Sequence, residues 1–245
     1  MNLYRLNPIS DSNFYILGGV IMSGNIDNFL IDIPTEELRK ACPTLQVLEV
    51  DNKQYIYQEG ELSSSIFFII KGFVRQTRLS EQGDEVTTAF LGQGDIFGAL
   101  QSLKSVEMEE SAQAWPKAHI YSIRVDEFQN MIIHYPEIAW KIVQKISDQK
   151  QKIERRLQRI ISQTVDVRVV ETLCELVKLS SKPCTHGFSI ELMMTQQELA
   201  SFVGASRPVV STILNKLKRQ GLLNYVKDRI CINDKALIEY SHLIQ

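Results

Sequence analysis

At Val125 the period of the apolar pattern changes, and the change divides the chain into two kinds of material. From Leu45 to Arg124 short apolar runs alternate with turn residues: Tyr55–Tyr57, Ile66–Ile70, Phe73–Leu79, Val86–Leu91 and His119–Ile123, broken at Gly60, Gly72, Gly83 with Asp84, and Gly92 with Gly94 and Asp95. Many short strands at even spacing predict an antiparallel sandwich or roll. Beyond Val125 the steps become three and four. Asp126–Ile133 predicts a short helix stopped near Pro136, and residues 137–162 predict a long one of about 39 Å at a rise of roughly 1.5 Å per residue.

Along that long helix Ile142, Ile146, Gln149, Ile153, Leu157 and Ile160 form a coiled-coil seam, with Lys141, Lys145, Lys152, Arg155, Arg156 and Arg159 mostly beside it. A rod longer than a small domain needs for packing predicts a parallel homodimer; packing of the helix on its own β domain is the alternative. Gln149 stands where the seam expects an apolar residue. It either fixes register or touches a ligand at the dimer axis. A compact helical segment follows Thr164: a helix over Asp166–Ser180 with Val169, Val170, Leu173, Leu176 and Val177 inward, then a short strand at Phe188–Leu192.

Met194–Leu223 carries the strongest signal. Thr195 and Glu198 have the spacing of a capping box that opens a helix. Leu199, Ala200 and Val203 give that helix its buried face, and Gly204 permits the turn that redirects the chain. Ser206 can cap a second helix, with Pro208 in its first turn. Val210, Ile213, Leu214 and Leu217 form its inner stripe. Arg207, Val209, Ser211, Thr212, Asn215, Lys216 and Arg219 then point outward, a set of hydrogen-bonding and cationic groups suited to base edges and phosphates. Residues 221–232 predict a hairpin turning at Lys227–Asp228, the wing of a winged helix, with Lys227 and Arg229 near the DNA backbone. A plain structural helix pair would need none of these cues in this order.

Charge agrees with that division. Residues 1–149 hold 12 Lys+Arg and 20 Asp+Glu, a net of −8, whereas residues 150–245 hold 15 and 9, a net of +6. A basic C-terminal part is what a polyanion partner requires, although solvated helix faces alone can produce such an asymmetry. Cys42, Cys174, Cys184 and Cys231 are too scattered for a zinc or iron–sulfur site and predict reduced, buried thiols. No P-loop, metal-ligand cluster or nucleophile elbow points to an enzyme. The apolar run Phe14–Met22, interrupted by two glycines, is too short to span a membrane and predicts a loosely ordered N-terminal arm; Met1 and Met22 are both candidate start sites. His119 and His134 are expected to be ordinary surface or edge histidines.

These residues together resemble the catabolite-activator/fumarate-nitrate regulator superfamily, over roughly Val47 to Ile232. The markers are the Gly60–Glu61 turn, Phe67–Ile70–Lys71–Gly72, Gly94–Asp95–Ile96–Phe97–Gly98, Gln197–Glu198–Leu199–Ala200 and Gly204–Ala205–Ser206–Arg207. Phe90–Leu91 and Ile96–Phe97–Gly98–Ala99–Leu100 look most like its cyanobacterial global nitrogen regulator branch, to which red-algal plastid relatives belong. The resemblance implies an α+β chain: an N-terminal arm (1–29), an antiparallel β-roll of cyclic-nucleotide-binding type (30–134), a dimerisation helix (135–164) and a winged helix-turn-helix (165–245).

It implies a dimeric transcription regulator bound to a near-palindromic operator in double-stranded DNA, with RNA polymerase as a partner, no membrane, and residence in bacterial cytoplasm or plastid stroma. DNA contacts would come from Thr195, Gln196, Gln197, Ser206, Arg207, Pro208, Val209, Ser211, Thr212, Asn215 and Lys216. Arg207 matches the family's base-reading arginine; Pro208 and Thr212 depart from its usual readers. The effector pocket would involve Phe97, Gly98, Ala99, Leu100, Glu110, Ser111, Gln149 and Glu154. Where cyclic-AMP-binding members carry a glutamate and an arginine, this chain has Ala99 and Glu110, and a carboxylate repels a phosphate. The arginines that hold 2-oxoglutarate in the nitrogen regulator fall on Glu110 and Gln149. Both departures speak against those two effectors, and a roll that binds no small molecule is the alternative.

Overall fold

The computed structural model describes residues 15–17, 20–22, 35–102, 104–179, 181–184, 187–190, 194–226, 229–233 and 237. The apolar N-terminal run pairs as two short strands, β1 (Tyr15–Leu17) and β2 (Val20–Met22), where the sequence predicts a loose arm. Helix α1 (Thr35–Ala41) follows, an element the sequence pattern does not announce. Leu38 and Cys42 account for it: both are buried against the later helix α2 (Val125–His134).

Between them lies the roll: β3 (Gln46–Val50), β4 (Tyr55–Tyr57), β5 (Leu62–Ser63), β6 (Ser65–Leu79), β7 (Glu85–Leu91), β8 (Ile96–Gly98), β9 (Val106–Glu107) and β10 (Ser111–Arg124). The large sheet runs β3-β10-β6-β7, with β4 also on β10 and β8 also on β6, and all of its pairs are antiparallel. Two predicted runs, Ile66–Ile70 and Phe73–Leu79, are one continuous strand, because the chain passes through Gly72 without leaving the sheet. Gly98 closes the β8 end at φ +100, where an added Cβ would lie 2.6 Å from the Ser65 carbonyl oxygen. Inside, Tyr57, Phe67 and Phe97 form a mutually packed aromatic triangle in one core cluster with Ile69, Val74, Ala112, Ala114 and Ile120.

Helix α3 (Pro136–Ser162) has Pro136 in its first turn, whose fixed φ suits that position. It carries two stripes. Ile138, Ile142, Lys145, Gln149 and Arg156 turn toward the rest of the chain: the isoleucines are buried, Lys145 Nζ stands 4.0 Å from Asp95, and Gln149 donates to the Ile96 carbonyl. Val143, Ile146, Ile153, Leu157 and Ile161 flank this stripe and stay exposed, Ile153 at 58% and Leu157 at 56%. The single seam expected from sequence is thus a mixture. Ile142, Gln149 and Ile160, whose tip faces Gly204, belong to the inner stripe, and Ile146, Ile153 and Leu157 to the outer one.

Helix α4 (Val165–Leu179) buries Val169, Val170, Leu173 and Leu176 as expected. A strand the sequence reading missed, β11 (Ser181–Cys184), pairs with β12 (Gly187–Ile190); the predicted strand end at Glu191–Leu192 lies outside the described residues. Helices α5 (Gln196–Val203) and α6 (Arg207–Arg219) and strands β13 (Leu223–Val226) and β14 (Arg229–Ile232) complete the chain, the last two antiparallel, in a sheet ordered β11-β12-β14-β13. The hairpin tip Lys227–Asp228 lies outside the described residues.

Candidate nucleic-acid interface

Helix α5 begins with a complete capping box. Thr195 Oγ1 accepts from the Glu198 amide at 3.2 Å, and Glu198 Oε2 accepts from the Thr195 amide at 2.7 Å. It ends at Gly204, with φ 65 and ψ 49 in the left-handed region. A side chain there would meet only the tip of Ile160, so the reason for glycine is the backbone, not the space. Ala205 donates back to the Ala200 carbonyl, and four residues after Val203 the chain re-enters a helix at Arg207.

Helix α6 starts at Arg207 with Pro208 in its first turn. Ser206 occupies the N-cap, but its side chain makes no cap hydrogen bond, contrary to the expectation from sequence. Its carbonyl accepts from Val210 and Pro208 supplies a helical φ; together these start the helix without the hydroxyl. Val210, Ile213, Leu214 and Leu217 are buried against α4 and α5. Burying that stripe dictates what faces out. At about 100° per residue, Arg207 and Ser211 fall on one flank, Pro208, Asn215 and Arg219 at the centre, and Thr212, Val209 and Lys216 toward the other flank.

All of these are exposed except Ser211, which is half-buried; Val209 shows 43% of its surface. Two of them are engaged. Thr212 Oγ1 donates to the Pro208 carbonyl at 2.9 Å, leaving its lone pairs outward, and Lys216 Nζ lies 3.1 Å from Asp166 of α4. At the start of α5, Thr195 and Gln197 are exposed and Gln196 half-buried. The arrangement is a convex, cation-bearing helix end carrying no carboxylate of its own. A duplex groove with phosphates on both rims accepts that shape and charge.

Sequence reading missed Arg168. It is buried on α4 and donates to four carbonyls: Val203 (2.9 Å) and Gly204 (3.2 Å) at the end of α5, and Ile160 (3.3 Å) and Gln163 (2.8 Å) at the end of α3. One guanidinium thereby satisfies orphan carbonyls at two helix ends. Its signal in sequence is slight: an arginine one position from the apolar stripe Val169–Val170.

In the roll, the residues expected around an effector are only partly brought together. Ala99 and Phe97 are buried, Leu100 is exposed, and Gln149 meets the Ile96 carbonyl beside Phe97. Glu110 Oε1 accepts from Tyr57 Oη at 3.0 Å and from Gln76 Nε2 at 3.2 Å, while Ser111 Oγ accepts from the Glu59 amide. Burial, then the Glu110 carboxylate, pushes the Tyr57 hydroxyl up, so it remains a donor. Arg78 reaches Glu109 at 2.8 Å and Glu110 at 3.9 Å. A phosphate does not fit beside Glu110, whose own carboxylate already takes the inward donors. Glu154 stands apart, exposed and paired with Lys150 on the outer side of α3. Among the described residues no three His, Cys, Asp or Glu side chains could hold a metal ion, and no helix is long and apolar enough to cross a membrane.

The Crp-like helix-turn-helix domain matches residues 167–239, and the cyclic nucleotide-binding domain matches residues 47–135. The chain belongs to the CRP/FNR family. It is a helix-turn-helix transcription regulator and not an enzyme. The global nitrogen regulator of Synechococcus elongatus is 25% identical over 198 residues, 80% of this chain and 89% of that protein. The cAMP-activated global transcriptional regulator Vfr of Pseudomonas aeruginosa is 28% identical over 176 residues, 70% of this chain and 82% of that one. A CRP-family regulator from Thermus thermophilus shares the fold at a TM-score of 0.70 with 20% identity, covering 79% of this chain and 95% of its own. CooA of Carboxydothermus hydrogenoformans does so at 0.68 with 22% identity, covering 90% and 97%. In this CRP/FNR-family chain the cyclic nucleotide-binding match spans Glu110, whose carboxylate accepts from Tyr57 and Gln76.

Proposed function

We propose that this regulator works as a homodimer and reads a near-palindromic operator with the exposed face of α6. The observation that carries the reading is that face: Arg207, Val209, Ser211, Thr212, Asn215 and Lys216 are what burial of the inner stripe leaves outside. Arg207, at the helix start, is the base reader, suited to a bidentate contact with guanine. Val209 packs on a thymine methyl, and Ser211, Thr212, Asn215 and Lys216 divide between base edges and phosphates. Thr195, Gln196, Gln197 and Ser206, at the start of α5 and in the turn, take backbone phosphates. Parallel pairing of the outer stripe of α3 brings two copies together, because a row of exposed isoleucine, leucine and valine is stabilised by removing it from water.

The chain is divided, in this reading, into arm, roll, dimerisation helix and winged helix-turn-helix at 1–29, 30–134, 135–164 and 165–245. The effector face is the roll interior at Phe97, Gly98, Ala99, Glu110 and Ser111, with Leu100 exposed beside it and Gln149 across from it. Similarity to global nitrogen regulators extends the reading to nitrogen-responsive genes and to RNA polymerase as the partner at the promoter, in bacterial cytoplasm or plastid stroma. Selection of bound duplexes from random DNA tests it. Two half-sites in inverted repeat are expected, and substituting Arg207→Ala should abolish the preference at one base pair of each. A wild-type protein that enriches no sequence at moderate salt would end the proposal.

A further inference from the structure

The helix-turn-helix is joined to the roll twice. One joint is covalent, through α3 and the Gln163–Thr164 link to α4. The other is a side-chain contact on the edge strand β7. Arg75 of β6 is buried; its guanidinium reaches Thr87 Oγ1 at 2.9 Å, Glu85 Oε2 at 3.3 Å and Glu198 Oε1 at 3.7 Å. Glu198 is the capping-box residue of α5, so one carboxylate closes the first turn of that helix and faces the roll's arginine. Arg156 of α3 spans the same junction. It donates to the Thr87 and Thr88 carbonyls of β7 and to the Phe202 carbonyl of α5, with its guanidinium 4.1 Å from the Phe202 ring centroid. Ser201 Oγ accepts from the Thr87 amide at 3.0 Å, Phe90 packs edge-on to Phe202 at 5.1 Å, and Trp115 of β10 is part of one apolar cluster with Leu199 and Leu214.

We infer that Arg75 and Arg156 are positioning residues for DNA binding, through which the β6–β7 edge sets the direction of the recognition helix. This rests on the DNA-binding reading above. Helices α5 and α6 share a buried core and move as one body, so the seating of α5 fixes where α6 points. Arg168 and the Arg159 pairs with Glu171 and Glu175 hold α4 and the end of α5 to the end of α3 across the two-residue link, but none of them reaches the β6–β7 edge that faces the start of α5. The clamp holds it. Guanidiniums taken out of water must keep their acceptors, so undocking α5 from this edge is costly.

The same strand touches the roll interior. Gln76, next to Arg75, faces the other way and donates to Glu110. A displaced Glu110 therefore acts one peptide unit from the clamp, by a route that bypasses α3.

The test uses the full-length protein, wild type and the variants Arg75→Ala, Arg75→Lys and Arg156→Lys. Binding is measured on operators built from the selected half-site at a series of centre-to-centre separations. Arg75→Ala is expected to lose on the order of 5-fold or more on the best operator. It should also accept separations the wild type rejects, with the half-site bases unchanged and the loss partly restored in Arg75→Lys. Loss of packing alone would not change which separation is preferred. Wild-type affinity and spacing preference in both Arg75→Ala and Arg156→Lys would overturn the inference. Hydrogen exchange across Gln196–Val203 separates this failure from failure of the operator reading. Even if no DNA is selected, unchanged exchange of α5 in Arg75→Ala refutes the clamp and faster exchange supports it.

Discussion

Arg207 stands first in α6, exposed. Replacing it by alanine is expected to weaken operator binding by about 10- to 100-fold, the equivalent of one bidentate base contact at roughly 1–3 kcal/mol, with little change in melting temperature; gel-shift titration and a thermal melt check the two halves. Arg168 is the opposite case. Arg168→Ala leaves four carbonyls at two helix ends without their donor and should cost about 3 kcal/mol in urea denaturation. Cys42 is buried, and burial, then the Glu127 carboxylate, pushes its thiol up to about 12. The unfolded thiol ionises near 9.0. Above that value the unfolded state holds fewer protons, so this group's contribution is intact below pH 9 and is lost as pH rises toward 12. Urea midpoints should therefore fall more steeply between pH 8 and 10 for the wild type than for Cys42→Ala.

At the scale of the element, α3 is one helix with two unlike stripes. Its inner stripe mixes isoleucine with Lys145, Gln149 and Arg156, each given a partner by the roll or by α5. Its outer stripe is apolar and exposed in the single chain. Leu157→Glu is expected to convert the dimer to monomer by analytical ultracentrifugation while leaving circular dichroism unchanged, since only the outer stripe is altered. Glycine matters between elements. Gly204→Ala should cost about 1–2 kcal/mol, the penalty of a Cβ at φ 65, and a larger loss would mean that the α5–α6 turn rearranges.

For the whole molecule, two copies joined along α3 would present two recognition helices about 34 Å apart, one turn of duplex. Inserting about five base pairs between the half-sites puts the second on the far side of the DNA and should reduce affinity to that of a single half-site. The charge asymmetry acts at this scale too. The C-terminal part carries the positive excess, so association should weaken steeply with salt although the full chain has a net charge of −2.

The strand-rich roll, the capping box of α5, the turn at Gly204 and the inner and outer faces of α6 were legible in the residues themselves. Each rests on a rule confined to a few neighbours along the chain: alternation, a three-residue hydrogen bond, a backbone angle, a helical stripe. The partition of α3 was not legible. Two interleaved stripes both advance by three and four, and spacing cannot tell which one meets its own roll and which stays outside. Nor could spacing place Arg75 beside Glu198, or Arg156 between β7 and α5. Those contacts join residues far apart in the chain, and only packing of the roll against the helix-turn-helix brings the guanidiniums to their acceptors.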